Sequence, residues 1–428
     1  MSFIEELKWR GLIQDITPAF EDEIKQKKRV GYIGFDPTSD SLHIGSLVQL
    51  VILKHFQNYG HKPIVLIGGA TGMIGDPSGK SKERNLLSQE IINKNINSLK
   101  DQFSNFLSFD SSENSAIVLN NFQWTNKLNV IDFFRDFGKS LTVNYMMSKE
   151  SVKKRLINES KEGMSFTEFT YQLFQAYDFY YLFKKFKCTI QMGGSDQWGN
   201  ITTGTELIRR KENVKAFAIT CPLIKKSDGS KFGKSEGGNI WLDKNKTSVY
   251  KFYQYWLNIS DEDATTYIKV FTFLSQDEVN ELIKEHNKDK AKRLLQNKIA
   301  DTVTVMVHGE NDLKNAISAS KVLFGKSSKE DLESLDDNTF NEIFDGVPSS
   351  NISKEKLSKG IEVENLLATE TNFLKSVSEA RRALKENSIS INKKRISQNI
   401  KITKNDLING KYTLLQRGRK NYYLVIVN

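Results

Sequence analysis

Five short segments of this 428-residue chain hold residues whose types and spacing suit chemistry. Tyr171, Gln175 and Asp178 stand at spacings of 4 and 3, which puts all three on one face of a helix. Their neighbours Leu173, Phe174, Ala176 and Phe179 are apolar. A polar stripe inside an apolar helix needs partners, because burying it unpaired is costly. A bound polar ligand would supply them, and a partly solvated helix face would also account for the pattern. Asp36-Pro-Thr38-Ser-Asp-Ser-Leu-His43-Ile-Gly45-Ser46 opens a helix, whose free N–H groups suit phosphates. His43 could donate to a phosphate oxygen there, and Gly45 would let a nucleotide approach the backbone; a plain loop with a core histidine is the structural alternative.

Gly68-Gly-Ala-Thr-Gly-Met-Ile-Gly-Asp76-Pro-Ser-Gly-Lys80 lacks the spacing of both the dinucleotide fingerprint and the P-loop. Its glycines imply tight turns and exposed backbone, and Asp76 is available for a substrate ammonium; a purely structural turn fits as well. Gly193-Gly194-Ser-Asp196-Gln197-Trp-Gly-Asn leads into another helix. Two glycines and a carboxylate suit a ribose and a purine, although Asp196 could simply cap that helix. The run Lys225 to Gly238, with Lys231, Lys234 and Ser235, is dominated by glycine, serine and lysine. Mobile lysines can close over a triphosphate and neutralise developing charge; a solvated surface loop is the bland reading.

The elements that must hold these segments are legible as short apolar runs alternating with helical patterns. Candidate strands are 30–35, 63–68, 116–120, 188–192 and 217–221. Runs this apolar are buried on both faces, which implies a parallel sheet covered by helices. Helices are expected at 44–59, ending at Gly60, and after Ser165, where Ser165-Phe-Thr-Glu168 has the form of a capping box. In such a sheet, ligands bind beyond the carboxyl ends of the strands, where most of these segments lie. The expected fold is α/β: a Rossmann-like catalytic domain at 1–247, an α-helical domain at 248–325, a polar linker with some local structure at 326–362, and a small α+β domain at 363–428.

Composition narrows the class of protein. Hydrophobic residues are 38% and charged residues 27%, as in an ordinary globular chain. No apolar run approaches the roughly 20 residues that span a bilayer, and the first residues read as a helix rather than a signal peptide. Cys188 and Cys221 are expected to be reduced core thiols of a cytoplasmic protein. The five histidines show no metal-ligand spacing with them, so no protein-bound metal is expected. The net charge is +10. Residues 363–428 hold 13 Lys and Arg against 5 Asp and Glu, a balance of +8. Such concentration at one end is expected of an appended nucleic-acid-binding module.

Taken together and in this order, the motifs resemble one family. HIGS at 43–46 is similar to the HIGH signature of class I aminoacyl-tRNA synthetases, and KFGKS at 231–235 to their KMSKS signature. GFDPT, GGATGMIGDPSGK, SFTEFTYQLFQAYDF and QMGGSDQWGNIT resemble the bacterial-type tyrosyl-tRNA synthetases, and SEARRALKENSISINKKRI with LLQRGRKNYYLV resembles their S4-like RNA-binding domain. The resemblance implies a cytoplasmic homodimer, with 130–165 near the dimer contact, that uses L-tyrosine, tRNA(Tyr) and ATP as its Mg2+ complex. It implies that Tyr32 and Asp178 bind the phenol, that Asp76, Tyr171 and Gln175 hold the ammonium, and that Gln197 lies near the carboxylate. Asp36, Thr38, His43, Gly45, Gly194, Asp196 and Lys234 would serve ATP. His43, Ser46, Lys231, Lys234 and Ser235 would carry the catalytic loops. Lys80, Arg84, Arg417, Arg419 and Lys420 would meet tRNA; the last three form a cationic cluster beside Tyr422 and Tyr423. Ser46 departs from the second histidine of the signature, and Ile33 stands where many relatives carry cysteine. A catalytically silent RNA-binding scaffold and the sister tryptophan enzyme are the competing readings; the Tyr32–Asp178 pair argues against the second.

Overall fold

The computed structural model describes residues 1–78, 87–150, 152–153, 164–235, 238–324, 328–344, 347–418 and 421–428. They form two compact units, Met1–Thr247 with Trp256–Val307, and Ser248–Tyr255 with His308–Asn428.

The first unit is built on a six-stranded sheet. Its strands are β1 (Asp15–Ile16), β2 (Val30–Phe35), β3 (Lys62–Ile67), β4 (Ile117–Asn120), β5 (Cys188–Gly194) and β6 (Phe217–Cys221). The order is β1-β6-β5-β2-β3-β4. Strands β2 to β6 pair in parallel, and only the two-residue β1 at the edge runs antiparallel, against β6. The expected strands are therefore present, within a residue or two of their expected bounds. From β2 the chain steps outward to β3 and β4, then returns to the other side of β2 as β5. That reversal between β2 and β5 leaves a crevice beyond their carboxyl ends.

Two helices flank the crevice. Ile44–Asn58 begins at His43 and has a C-cap at Tyr59. Phe166–Phe186 begins with the expected capping box: Ser165 Oγ accepts from the Glu168 amide, and the Glu168 carboxylate accepts from the Ser165 amide. Its apolar face packs with Tyr32, Leu66 and Leu207 in the core. The short hairpin of β7 (Lys234–Ser235) and β8 (Gly238–Asn239) follows β6.

From Val249 to Phe324 the chain is helical, but this stretch is divided between the units. Trp256, Tyr267 and Phe271 pack around Phe232 in the first unit. Tyr250 and Ala319 share a core with Leu332, Phe340, Tyr412 and Leu414 in the second. Where the sequence suggests a linker at 326–362, helices Lys329–Glu333 and Asp337–Ile343 bury Leu332, Phe340 and Ile343 in that same core. Strand β9 (Ser349–Ile352) joins the second unit's sheet; β10 is Ile361–Glu362. The polar residues that suggest a linker are mostly the exposed faces of these short helices.

The second unit continues with β11 (Ile389–Ile391), β12 (Lys394–Ile396), β13 (Lys401–Ile402), β14 (Tyr412–Arg417) and β15 (Asn421–Val427). Its five-stranded sheet has the order β12-β11-β14-β15-β9, and the helix Val377–Lys385 buries Ala380, Ala383 and Leu384 in the adjoining core.

Candidate active site

A cavity of about 490 Å³ lies beyond the carboxyl ends of β2 and β5. Tyr32, Asp36, Thr38, His43, Ser46, Asp76, Tyr171, Gln175, Asp178, Asp196 and Gln197 all line it. Four segments remote in sequence thus meet at one place.

The closed end is set by Tyr32 and Asp178. Tyr32 faces Gln191 across the β2–β5 ladder and meets Phe179 edge-on, with centroids 5.4 Å apart. It is 1% exposed, and its hydroxyl has no hydrogen-bond partner among the described residues. Asp178 is 2% exposed and is held by two donors. Asn121 Nδ2 donates to Oδ2 and Trp124 Nε1 to Oδ1, each at 2.8 Å. Burial pushes the Asp178 carboxyl up to about 7, against the pull of those two donors. The Tyr32 phenol is pushed well above its ordinary value by burial and then by the Asp178 charge. An unpartnered buried hydroxyl beside a buried carboxylate is a site for a small group that both donates and accepts.

Along the cavity the network continues. Asn121 Nδ2 also donates to Thr71 Oγ1 (3.0 Å), and Thr71 Oγ1 to Asp36 Oδ1 (2.9 Å). Tyr171 donates to Asp36 Oδ2 at 3.3 Å. Asp76 accepts from Gln197 Nε2 (2.6 Å), the Ser78 amide (3.0 Å) and Asn200 Nδ2 (3.4 Å). Asn200 Nδ2 lies 3.1 Å from Gln175 Oε1. Carboxylates, amides and hydroxyls converge here with no lysine or arginine among the described lining residues, which suits a ligand ammonium.

At the helix end, His43 Nδ1 accepts from the Gly45 amide at 3.0 Å. That bond leaves Nε2 as the ring's donor. A Cβ on Gly45 would fall 2.7 Å from His43 Cε1, so the glycine makes room for the imidazole. Ser46 presents its side chain one turn into the cavity wall. Asp196 lies in a 3-10 turn, Ser195–Gln197, with no side-chain cap bond there. Gly194 ends β5; Gly193, its neighbour, is the one that lines the cavity.

Lys231 and Lys234 are exposed. Lys234 pairs with Asn239, and Ser235 with Gly238. Asn239 and Trp241 line the cavity, and Trp241 bridges His43. Lys80, Arg84, Arg419 and Lys420 lie outside the described residues. Arg417 is described, and its guanidinium bonds the Glu379 carboxylate at 2.7 Å. It lines a groove in the second unit with Phe373, Tyr422 and Tyr423. Among the described residues no cluster of three or more His, Cys, Asp or Glu could hold a metal, and no helix is long and apolar enough to cross a membrane.

Sequence reasoning did not single out Asn121, Trp124 or Asn200 as site residues. Asn121 and Trp124 stand just past the carboxyl end of β4, so applying the strand-end rule to that strand would have reached them.

Comparison with known proteins agrees with this geometry. Residues 25–325 match the family described as tRNA synthetases class I (W and Y), and residues 339–425 match the Tyrosine--tRNA ligase SYY-like C-terminal domain. The chain is 57% identical to a tyrosine--tRNA ligase of Flavobacterium johnsoniae over 100% of its own length and 99% of that protein. It is 52% identical to one of Bacteroides fragilis over 100% of both chains. Among solved structures, it is similar to a C-terminally truncated mitochondrial tyrosyl-tRNA synthetase of Aspergillus nidulans. The TM-score is 0.68 at 31% identity, covering 76% of this chain and 94% of that one. The chain belongs to the class I tyrosyl-tRNA synthetases.

Proposed function

We propose that this tyrosine–tRNA ligase reads its amino acid with the buried pair Tyr32 and Asp178, and that the cavity from there to His43 holds tyrosine and then ATP. The reaction has two steps. The tyrosine carboxylate attacks the α-phosphate of ATP, forming the mixed anhydride and releasing diphosphate. A ribose hydroxyl at the 3′ end of tRNA then displaces AMP. No protein nucleophile is needed, so positioning and charge stabilisation carry the rate. ATP enters as its Mg2+ complex, a co-substrate.

The observation that carries the reading is the Tyr32 hydroxyl, unpartnered among the described residues, beside Asp178 in the cavity. A phenol there can donate to Asp178 and accept from Tyr32. Asp76, Tyr171 and Gln175 then hold the ammonium, and Gln197 lies by the carboxylate. Asp36, Thr38, Gly45, Gly194 and Asp196 serve the nucleotide, with His43 Nε2 as a donor to phosphate and Ser46 as a shorter one. Lys231, Lys234 and Ser235 act on the diphosphate side. Lys80 and Arg84 lie near the acceptor end. Residues 1–247 form the catalytic domain, 248–325 contribute the helices and 363–428 the S4-like module, where Arg417, Arg419 and Lys420 meet tRNA(Tyr). Val130, Ile131, Phe134, Val143 and Met147 are exposed apolar side chains in the stretch expected at a dimer contact, which supports a homodimer. Part of that stretch, residues 151 and 154–163, lies outside the described residues. The two buried free thiols suit a cytoplasmic setting.

Tyrosine-dependent exchange of labelled diphosphate into ATP tests the first step. Exchange with tyrosine and not with tryptophan is expected. No exchange would favour a catalytically silent RNA-binding scaffold.

A further inference from the structure

Between the two exposed lysines of the KFGKS loop stands a residue of opposite character. The Phe232 ring stacks on Phe271, with centroids 5.2 Å apart and planes at 16°. It meets Tyr267 edge-on at 5.1 Å and lies 6.0 Å from Trp256. All three socket residues are at most 1% exposed. A loop of glycine, serine and lysine thus sends one aromatic ring into a packed core.

The helix Asp261–Val270, which carries Tyr267 and has Phe271 as its C-cap, also holds the base of the loop. Asp263 Oδ1 accepts from the Ser227 amide at 2.8 Å, and Tyr267 donates its hydroxyl to the Lys225 carbonyl at 3.1 Å. The C-terminal end of this helix is fixed in turn by the buried Arg10. Its guanidinium donates to the carbonyls of Lys269, Thr272 and Leu274 at 2.6–2.7 Å. On the other side of Phe232, Gly233 has φ +86 and lies against the start of the Ile44–Asn58 helix. A Cβ there would come within 3.2 Å of Ile44 Cγ1. The Gly233 carbonyl accepts from the Ile240 amide at 3.0 Å, and the Ile44 amide donates to the Ile240 carbonyl at 3.0 Å. Within two residues the chain therefore passes from the aromatic socket to the wall that carries His43.

We propose that Phe232 is a positioning residue for adenylate formation: its ring, seated between Tyr267, Phe271 and Trp256, fixes where Lys231 and Lys234 leave the loop beside the cavity. It touches no substrate and acts only through the two lysines. The proposal rests on the reading of Lys231 and Lys234 given above. Without the ring, the ammonium groups lose a fixed origin, and misplacement by about 1 Å can cost on the order of 100-fold in rate.

The test uses the full-length chain in single-turnover adenylate formation, with tyrosine affinity measured in parallel. Phe232→Ala should slow the step by about 10- to 100-fold with the tyrosine Kd unchanged. Phe232→Leu, which keeps an apolar plug, should recover most of the rate. Adding Phe232→Ala to the Lys231→Ala/Lys234→Ala variant should slow it little further, because the ring acts only through those two lysines. If Phe232→Ala fails to melt cooperatively, Phe232→Leu replaces it, alone and added to Lys231→Ala/Lys234→Ala, and a small loss from Phe232→Leu that vanishes in that background supports the proposal. A further loss of the same size in the Lys231→Ala/Lys234→Ala background, or a normal rate in Phe232→Ala while that lysine variant is slow, would overturn the positioning role alone. A normal rate in Lys231→Ala/Lys234→Ala would overturn the chemistry assigned to the loop, and the proposal with it.

Discussion

Replacing Tyr32 by phenylalanine should separate recognition from folding. The Tyr32 hydroxyl has no protein partner among the described residues, so its removal orphans no donor or acceptor of the chain. The ring that meets Phe179 at 5.4 Å stays in place. The melting midpoint without ligand should therefore remain close to that of the parent. With tyrosine bound, one neutral hydrogen bond to the phenol is lost, worth about 0.5–1.5 kcal/mol. At 1.4 kcal/mol per tenfold, kcat/KM for tyrosine should fall by a factor of about 2–12. Phenylalanine offers no hydroxyl to Tyr32, so its kcat/KM should not fall with it. The preference for tyrosine should shrink by the same factor. It should not vanish, because phenylalanine would still leave Asp178 buried and unpaired on the ligand side. Sites built to bond a substrate hydroxyl reject the analogue that lacks it, a rule for which the tyrosyl enzymes are themselves a standard example. The assay is steady-state diphosphate exchange with each amino acid, with melts run beside it. An unchanged tyrosine-to-phenylalanine ratio, or a clear loss of stability without ligand, would refute the assignment.

Three other outcomes are expected. Because Asp178 sits at about 7 and accepts the phenol proton best when ionised, tyrosine affinity should weaken as pH falls below 7, by up to about tenfold per unit, and level off above it; a flat profile between pH 5.5 and 8 would contradict this. Trp124→Phe keeps a ring to stack on Tyr181, 4.3 Å away, but removes a donor that favours the Asp178 anion, so the same profile should move to higher pH, read by repeating the titration. A chain ending near residue 325 should still form tyrosyl-adenylate and charge tRNA poorly, because phosphate contacts of the basic tail are gone; it should also melt lower, since Tyr250 and Ala319 lose Leu332, Phe340 and Tyr412. Measuring both half-reactions and the melt on that chain checks all three effects, and full tRNA charging without the tail would contradict the assignment.

The legible parts of this protein are those written in local pattern. The apolar runs at 30–35 and 217–221 are β2 and β6 to the residue, and Ser165 and Glu168 close the capping box their spacing suggests. The stripe of Tyr171, Gln175 and Asp178, which lines the cavity, is legible because helical period and polar type are both visible in one dimension. What pairing each polar group makes is not local. Asp178 is held by Asn121 and Trp124, which stand 57 and 54 residues earlier and reach it only because β4 ends on the same side of the sheet. The division of the helices between the two units is equally hidden. Its cause is which aromatic side chains meet: Phe232 with Trp256, Tyr267 and Phe271 in one unit, Tyr412 with Phe340 in the other. The same physics accounts for the Asp178 carboxyl. A sequence shows an acidic side chain on an apolar helix, but its rise to about 7 depends on complete burial against two neutral donors. A lysine or arginine in place of Asn121 would hold the anion and drive the carboxyl back down. On the proposed reading, the neutral donors leave Asp178 free to take a ligand's proton donor as its third partner, and discrimination at this end of the cavity would depend on what its neighbours withhold.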